Sequence, residues 1–452
     1  MKQERGHFGS RIGVILATAG SAVGLGNIWR FPYMTGQDGG AAFILFCALC
    51  VILLGIPGMV AEFVVGRHSS ANAAKAYRSL SGGGPWAVIG YMGVFTSMII
   101  LGFYAVVAGW CLHYLFVSVA GDLNEGGQSA QAVFQSFSGS SYLPVVFTAA
   151  FILLTHAVVT QGVRKGIERA SNLLMPALFV LLIVIVIASC SLPGSLAGVK
   201  FLFHPDFSKL NHSVTLDALG QAFFSLSLGT ACLCTYASYF SRQTNLLRSA
   251  TQIAGLDTLV AILAGLMIFP AAFSVGVNPD SGPSLIFVTL PQVFAKAFSS
   301  LPVVGYVVSV LFYALLVLAA LTSTISMHEI GTSFFCEELR LTREKAAWIE
   351  TCCCVAIGVL CSLSVGAVPG LRLFGVSLMD CCDFLTSNIL LPLGSFLTCL
   401  FVGWVVPRRI VADEFTNWHT LRGVFFGTWL FVIRFVCPLC IAAVFLHQLH
   451  II

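Results

Sequence analysis

The sequence predicts an all-α integral membrane protein of eleven transmembrane helices, built as a 5+5 inverted repeat with discontinuous helices 1 and 6. Three observations predict this fold class: an apolar composition, basic residues that alternate between apolar stretches, and two polar interruptions about 200 residues apart. Of the 452 residues, 58% are hydrophobic and 9% are charged, and the mean hydropathy is +0.93. Soluble domains carry about 25% charged residues, so most of this chain must lie in lipid.

Apolar stretches of about 20 residues or more, long enough to cross a bilayer, recur through the chain. We number the eleven predicted stretches spans 1 to 11. Their approximate bounds are 12–35, 40–66, 87–119, 143–161, 170–191, 215–240, 250–277, 300–335, 346–366, 374–404 and 422–448. We expect a single domain over 1–452, with repeat one at about 12–191, repeat two at about 215–404 and an additional helix at 422–448.

Lysine and arginine residues predict the orientation of the spans. Seventeen lie before span 1 or in the segments after the even-numbered spans, and four lie in the segments after the odd-numbered spans. Because cytoplasmic segments are enriched in these residues, we expect a cytoplasmic N-terminus and an external C-terminus. The net charge of +4 therefore reflects topology and does not indicate nucleic-acid binding.

Span 1 carries residues that a simple membrane anchor would not carry. Its glycines, among them Gly24, each weaken a helix by about 1 kcal/mol relative to alanine. Arg30 costs at least about 2.5 kcal/mol at membrane depth. Non-helical backbone is tolerated in a bilayer only where it is buried in protein or lines a watery cavity. We therefore predict a break near 22–25 that frees carbonyl oxygens beside Asn27, a ligand set that suits a small hard cation.

Two polar residues of spans 2 and 3 are first interpreted as structural. Glu62 lies in apolar sequence near Arg67, and we predict that it caps the loop that follows span 2. Tyr104 shares a helix face with Ile100, one turn earlier. We predict that Tyr104 is a packing residue unless a cavity lies beside it.

The second interruption lies in span 6, which reads GQAFFSLSLGTACLCTYASY. Gln221 lies near its start, and Phe224, Ser225, Ser227 and Gly229 lie mid-span. Each five-span half therefore begins with an interrupted helix. This pattern is the sequence signature of an inverted repeat with a binding site at the bilayer midplane.

Polar residues of spans 7 and 8 complete two groups of oxygen ligands. Asp257 in span 7 has no base nearby in sequence, and an unpaired carboxylate inside a membrane is usually functional. With carbonyls of the first break, Asn27, Ser225 and Asp257 form one predicted group. Thr322 and Ser323 in span 8 form the other, although such hydroxyls often bond back to their own helix. Two oxygen cages would hold two alkali ions.

The groups beside these two oxygen cages indicate which type of ligand could bind there. Helix N-termini after the breaks present unpaired N–H groups and a positive dipole end, which favour a carboxylate. Ile100, Tyr104, Phe224 and Met327 would line the remaining space. A ligand with a carboxylate and an apolar side chain fits this inventory, which indicates an amino acid.

Four motifs resemble those of bacterial members of the neurotransmitter:sodium symporter family, in the same order over essentially the whole chain. They are GSAVGLGNIWRFP, GQAFFSLSLG, ALTSTIS and FLTSNILLPLG. The resemblance implies a symporter that couples Na⁺, two ions being expected, to import of neutral hydrophobic or aromatic amino acids by alternating access. It also implies the bacterial cytoplasmic (inner) membrane as the location.

The resemblance also implies roles for individual positions. The first sodium would be held by Ala22, Asn27, Ser225 and Asp257, and the second by Gly20, Val23, Ala319, Thr322 and Ser323. The substrate would be surrounded by Ser21, Ala22, Leu25, Gly26, Ile100, Tyr104, Phe224, Ser225, Ser227, Thr230, Ser323 and Met327. The outer gate would be Arg30 and Asp383 with Gln221 alongside, and the inner gate would be Arg5 and Glu337 with Tyr239 nearby.

The chain departs from the family pattern at three points. Phe8 stands where the family has a tryptophan, and eleven spans are predicted where many relatives have twelve. Asp257 would either ligate sodium or supply the negative charge that replaces chloride in chloride-independent relatives. Both roles predict no chloride requirement, because an ionised acid would repel the anion.

Other function classes were weighed against a transporter of amino acids. A sodium-coupled carrier of another small zwitterion or an amine stays open. A non-transporting receptor or channel, with Gly20 and Gly24 as a helix-packing face, is disfavoured by Asn27, Arg30 and Asp257. No nucleophile and base pair emerges from the sequence, so we predict no enzyme.

Overall fold

The computed structural model describes residues 6–121, 130–277, 285–368, 370–373 and 375–449. Eight helices in this part are long and apolar enough to cross a membrane. They are Ala41–Ser69, Ala87–Ala120, Val163–Cys190, Leu246–Ser274, Pro302–Glu338, Arg343–Val365, Leu378–Val405 and Phe426–Gln448. Two bent pairs also qualify when each is taken as one span. They are Arg11–Ala22 with Gly26–Gln37, bent by 56°, and Gln131–Ser138 with Leu143–Val159, bent by 79°.

Span 6 is divided into two helices, His212–Ser225 and Cys232–Ala237. The longer has 14 residues and reaches about 21 Å, which is less than the roughly 30 Å hydrocarbon core. The predicted number of eleven spans is therefore not established by helix length. The predicted all-α class, with discontinuous helices 1 and 6, is confirmed. The bounds of the two repeats stay a prediction.

Seven π-helical turns occur in the described part of the chain, and proline explains most of them. Six end two residues before a proline. Because proline lacks an N–H and its ring clashes with the carbonyl four residues earlier, the α-helical ladder is interrupted there. The seven turns are Gly26–Arg30, Val51–Gly55, Val163–Glu168, Leu285–Thr289, Phe384–Leu390, Phe401–Val405 and Val432–Val436.

Shorter elements connect the spans. They are the α-helices Ala73–Leu80, Leu196–Phe203, Leu290–Ala297 and Arg408–Phe415, the 3₁₀ turn Phe207–Lys209, and an antiparallel pair of two-residue strands, Arg372–Leu373 with Val376–Ser377.

The broken spans lie at the centre of the helix packing. The first half of span 1 packs against spans 5, 7 and 8, and the second half of span 6 packs against span 2. Span 8, the longest helix, also contacts spans 3, 4, 5 and 9. The residues of both breaks are therefore enclosed by continuous helices, which is where a membrane protein tolerates irregular backbone.

Candidate functional site

The first break begins where the helix of span 1 ends at Ala22. Val23 adopts an extended conformation (φ −71°, ψ 108°), which removes its carbonyl from the helical ladder. That carbonyl accepts hydrogen bonds from the hydroxyls of Thr322, at 3.4 Å, and Ser323, at 3.2 Å. The helix therefore breaks within the predicted segment, and its freed carbonyl meets the two span-8 hydroxyls named from the sequence.

These groups form the first of two oxygen clusters. The Thr322 hydroxyl also donates to the Ala319 carbonyl at 2.9 Å, so two carbonyls and two hydroxyls lie within hydrogen-bond reach of one another. Gly20 lies beside them, since a Cβ added there would be 3.3 Å from Cβ of Thr322. The structure thus brings together all five residues implied for the second sodium.

The second cluster joins the two broken spans to span 7. The Asn27 amide donates to one carboxylate oxygen of Asp257 at 2.7 Å, and the Ser225 hydroxyl donates to the other at 2.6 Å. Asn27 and Ser225 also contact each other at 3.3 Å. Asp257 is only 2% exposed. A carboxylate has about four acceptor sites, so lone pairs of Asp257 remain after these two bonds. Ala22, the last residue of the first helix, is also buried.

The freed N–H groups of the first break also have defined partners. Gly24 N–H donates to the Asn27 side-chain oxygen at 3.1 Å. Leu25 N–H donates to the Tyr104 hydroxyl at 3.0 Å. Tyr104, which the sequence suggested as a packing residue, therefore binds the break directly.

The second break has a different construction. It runs from Ser225 to Cys232 and contains three residues with positive φ: Ser227 (54°), Gly229 (82°) and Ala231 (62°). Its Gly229 N–H donates to a carboxylate oxygen of Glu62 at 2.7 Å. The predicted cap on the loop after span 2 was wrong, because Glu62 is buried and holds the break of span 6.

Hydrogen bonds tie the two breaks to each other and to span 3. The Ser227 hydroxyl donates to the Ser21 carbonyl at 3.2 Å. The Thr230 carbonyl accepts from Ser97 of span 3 at 2.9 Å. Residues of the implied pocket in spans 1 and 6 are therefore adjacent in the fold.

The apolar members of the implied pocket fall into two places. Gly26 faces the Phe224 ring, and Ile100 is buried on the face of span 3 that also carries Tyr104. Met327 packs against a separate apolar cluster. That cluster consists of Leu101, Ala105, Ile152 and Cys354.

The outer residues do not form the implied ion pair. The Arg30 guanidinium lies over the Phe224 ring, 4.2 Å from its centroid. Asp383 instead accepts from Ser387 of the next turn at 2.8 Å. In the described part of the chain no carboxylate is within ion-pair distance of Arg30, which makes a cation–π contact here, and the Arg30–Asp383 gate stays a prediction. Gln221 is buried, and its amide atoms have no hydrogen-bond partner among the described residues.

On the opposite side of the membrane, Arg5 lies outside the described residues. Glu337 accepts from the backbone N–H of Asn72 at 3.0 Å. Tyr239 donates to Glu329 at 2.6 Å, and Glu329 is completely buried and pairs with Arg343.

Sequence reasoning missed the pair of Glu329 and Arg343. Glu329 lies in the apolar sequence TISMHE, so its charge inside a span was an available signal. Phe8 stacks edge-on against Tyr236, with ring centroids 5.9 Å apart, and its N–H donates to the Tyr239 carbonyl at 3.4 Å. The N-terminal segment therefore lies against this network.

The arrangement has the chemistry of a binding site. The first cluster presents carbonyl and hydroxyl oxygens, and the second presents hydroxyl and carboxylate oxygens. These are ligands that hard cations prefer. The Asn27 amide turns its NH2 group to Asp257, and its oxygen accepts from the Gly24 N–H. Among the described residues, no group of three or more His, Cys, Asp and Glu side chains is placed to hold a transition metal. The site is suited to alkali ions and to a ligand that presents a carboxylate.

Comparison with known proteins agrees with this geometry. The sequence pattern of the sodium:neurotransmitter symporter family matches residues 5–133 and 129–452. An uncharacterized sodium-dependent transporter of Bacillus subtilis, YhdH, is 40% identical over 453 residues, covering 100% of this chain and 99% of its own. An uncharacterized sodium-dependent transporter of Haemophilus influenzae is 33% identical and covers 99% of both chains. The crystal structure of MhsT in complex with L-phenylalanine superposes with a TM-score of 0.89 at 41% identity, over 98% of this chain and 100% of that one.

Proposed function

The chain belongs to the sodium:neurotransmitter symporter family and is a sodium-dependent symporter rather than an enzyme; within that family, we propose that it imports neutral hydrophobic or aromatic amino acids. The observation that carries this proposal is the pair of oxygen clusters around the break of span 1, enclosed by Tyr104 and Phe224. The complex of MhsT with L-phenylalanine supports the substrate class.

Two sodium ions would occupy the two clusters as co-transported substrates. The first ion would lie among Asn27, Ser225 and Asp257, with the carbonyl of Ala22. The second would lie among the carbonyls and hydroxyls of Gly20, Val23, Ala319, Thr322 and Ser323. In both clusters the hydroxyl donors can rotate. After rotation each hydroxyl oxygen would face an ion, because it keeps at least one lone pair that no present hydrogen bond uses.

The amino acid would bind between the breaks. Its carboxylate would take the Tyr104 hydroxyl as donor and complete the oxygen shell of the first sodium. Its side chain would lie against Ile100 and Phe224. The remaining wall would come from Ser21, Leu25, Gly26, Ser227, Thr230, Ser323 and Met327.

Coupling follows from that shared carboxylate. Without the substrate, the first sodium lacks one oxygen ligand, and without the ion the carboxylate lacks a counter-charge. Each partner therefore strengthens the binding of the other by the same factor. The membrane potential adds about 2.3 kcal/mol per charge per 100 mV to the inward driving force.

We further propose chloride-independent alternating access. Asp257 already places a negative charge at the second cluster, so a bound chloride would be repelled. The outer gate would close as Phe224, covered by Arg30, moves over the substrate, with Asp383 and Gln221 alongside. The inner gate would open where Tyr239 and Glu337 meet the N-terminal segment that contains Arg5.

The proposed setting is the cytoplasmic membrane of a bacterium, with the N-terminus in the cytoplasm and the C-terminus outside. The bias of seventeen basic residues against four supports this orientation. We propose one transporter domain with repeats at about 12–191 and 215–404 and an additional helix at 422–448.

The test is uptake of labelled neutral amino acids into proteoliposomes, with sodium or potassium and chloride or gluconate outside. We expect accumulation that requires sodium, is indifferent to chloride and is greatest for hydrophobic or aromatic amino acids. Sodium-driven accumulation of a different zwitterion or an amine would overturn the substrate class. No sodium-driven accumulation of any solute would overturn transport and favour a receptor or channel.

A further inference from the structure

An arginine lies inside span 11, far in sequence from the substrate site. Arg434 belongs to the π-helical turn Val432–Val436, eight residues after the helix Phe426–Gln448 begins. A charged side chain in a membrane span is costly and requires a partner. In the described part of the chain, no carboxylate is paired with it.

Span 10 supplies one hydrogen-bond acceptor and one aromatic ring to the Arg434 guanidinium. Its Nε–H donates to the Gly403 carbonyl at 2.6 Å, and its Cζ lies 5.1 Å from the centre of the Trp404 ring. A Cβ at Gly403 would be 3.0 Å from the Arg434 Cγ, so the absence of a side chain allows the arginine stem to lie on the span-10 backbone. A guanidinium has five N–H donors. The four on its terminal nitrogens have no acceptor among the described residues.

The depth of this group places it near the lipid headgroups. Gly403 lies four residues before Pro407, after which the chain leaves span 10 and forms the helix Arg408–Phe415. At 1.5 Å per residue this is about 6 Å from the end of the span. An arginine side chain covers such a distance by snorkelling. Trp404 is likewise a residue type enriched at the interface.

The surroundings of Arg434 face lipid. Trp404 is 57% exposed, and its neighbours Phe431 and Phe435 are 58% and 50% exposed. The Phe435 ring packs edge-on against Trp404 at 5.4 Å. The charged N–H groups of Arg434 thus lie beside exposed aromatic side chains, which can pack against lipid acyl chains.

We propose that Arg434, supported by Trp404 and Gly403, binds the phosphate of an anionic phospholipid in the groove between spans 10 and 11. A guanidinium binds two oxygens of one phosphate in parallel, whereas an ammonium acts as a point charge. Arg408, at the same end of span 10, adds positive charge at this membrane face. The aromatic wall favours a phosphate that carries acyl chains over a free phosphate ion.

The test measures lipid retention and does not depend on transport. The full chain is reconstituted in nanodiscs of phosphatidylcholine with a minor fraction of phosphatidylglycerol, released into detergent and analysed by native mass spectrometry. We expect wild type to retain phosphatidylglycerol and Arg434→Gln to retain about tenfold less, because one charge-assisted bidentate contact is lost. Arg434→Lys should lie between the two. The matched control Arg409→Gln, whose side chain is 93% exposed, should behave as wild type.

A second variant guards against a folding defect at position 434. Trp404→Leu removes the ring contact and leaves the charge, and we expect a loss of phosphatidylglycerol of about threefold, given a cation–π contribution of about 0.5–1 kcal/mol. Equal retention by Arg434→Gln and wild type would overturn the proposal. So would displacement of phosphatidylglycerol by inorganic phosphate, or a lipid-free dimer of wild type that Arg434→Gln dissociates, since these assign the groove to a free anion or to a second copy.

Discussion

The two broken helices, one in each half of the chain, are joined by a hydrogen bond between their breaks but are built differently. In span 1 no residue from 20 to 27 has a positive φ, and one extended residue, Val23, is enough to break the helix. In span 6 the chain leaves helical geometry over six residues, and three of them have positive φ.

The partners of the breaks differ as well. The freed carbonyl of Val23 is bound by hydroxyls, which can rotate and be replaced by a cation. The freed N–H of Gly229 is bound by Glu62, a buried carboxylate that is 2% exposed. This difference indicates that the first break is an adaptable site for ions, whereas the second is held by protein and gives the site its shape. Substitutions at Asp257, Glu62, Gly229 and Ala231 test the comparison.

The largest effect is expected at Asp257, which bonds to Asn27 of the first break and Ser225 of the second. Asp257→Ala removes the only charged oxygens of the second cluster. Loss of two charge-assisted hydrogen bonds predicts sodium-driven uptake at least about 100-fold weaker. The measurement is initial uptake against sodium concentration, with Asp206→Asn in an exposed loop as the control. Unchanged sodium dependence would remove Asp257 from the ion site.

Asp257→Asn sharpens the same test. If Asp257 supplies a charge that replaces chloride, uptake by this variant recovers when chloride is added. If Asp257 is a direct ligand of sodium, chloride has no effect and the sodium requirement stays high.

The next effect is expected at Glu62, which holds the second break. Glu62→Ala leaves the Gly229 N–H without its acceptor inside the membrane, and the free energy of unfolding should fall by about 1–3 kcal/mol. Glu62→Gln keeps an acceptor oxygen and should lose less. Thermal unfolding in detergent measures both. Equal losses would mean that the negative charge of Glu62, and not its acceptor, is what the break requires.

A slightly smaller effect is expected at Gly229 itself. Its φ of 82° is strained for alanine, and a new Cβ would clash with the Leu391 backbone carbonyl and lie 2.8 Å from the Ser395 hydroxyl. Gly229→Ala should cost about 2 kcal/mol in unfolding free energy. Gly255→Ala in span 7 is the control, because nothing lies within 4 Å of a Cβ there and its φ is not positive. If both variants unfold at the wild-type temperature, the second break is not rigid.

The smallest expected effect is a change in the free energy of unfolding, which has opposite signs at the two breaks. Ala231 has a φ of 62°, so Ala231→Gly should relieve strain and stabilise the protein by up to about 1 kcal/mol. Ala19→Gly, in the regular helix before the first break, should destabilise it by about 1 kcal/mol. Unfolding temperatures of the two variants give the signs. A loss of stability in Ala231→Gly would contradict the assigned backbone strain.

The sequence by itself determined the membrane class, the two interruptions and most residues around them. Each follows from local energetics, since a glycine, a hydroxyl or a carboxylate inside an apolar run is costly wherever it lies. The polar residues of the spans also placed Asn27, Ser225 and Asp257 in one group, and the fold brings them within hydrogen-bond distance. The prolines behind the π turns were also visible in the sequence.

Tertiary structure alone decided which partner each buried polar group meets. Glu62 reaches a backbone N–H 167 residues away, Arg30 lies over the Phe224 ring, and Glu329 pairs with Arg343. No local pattern specifies these choices. The packing of distant helices brings each polar group to its partner, and a polar group without a partner in a membrane costs several kcal/mol.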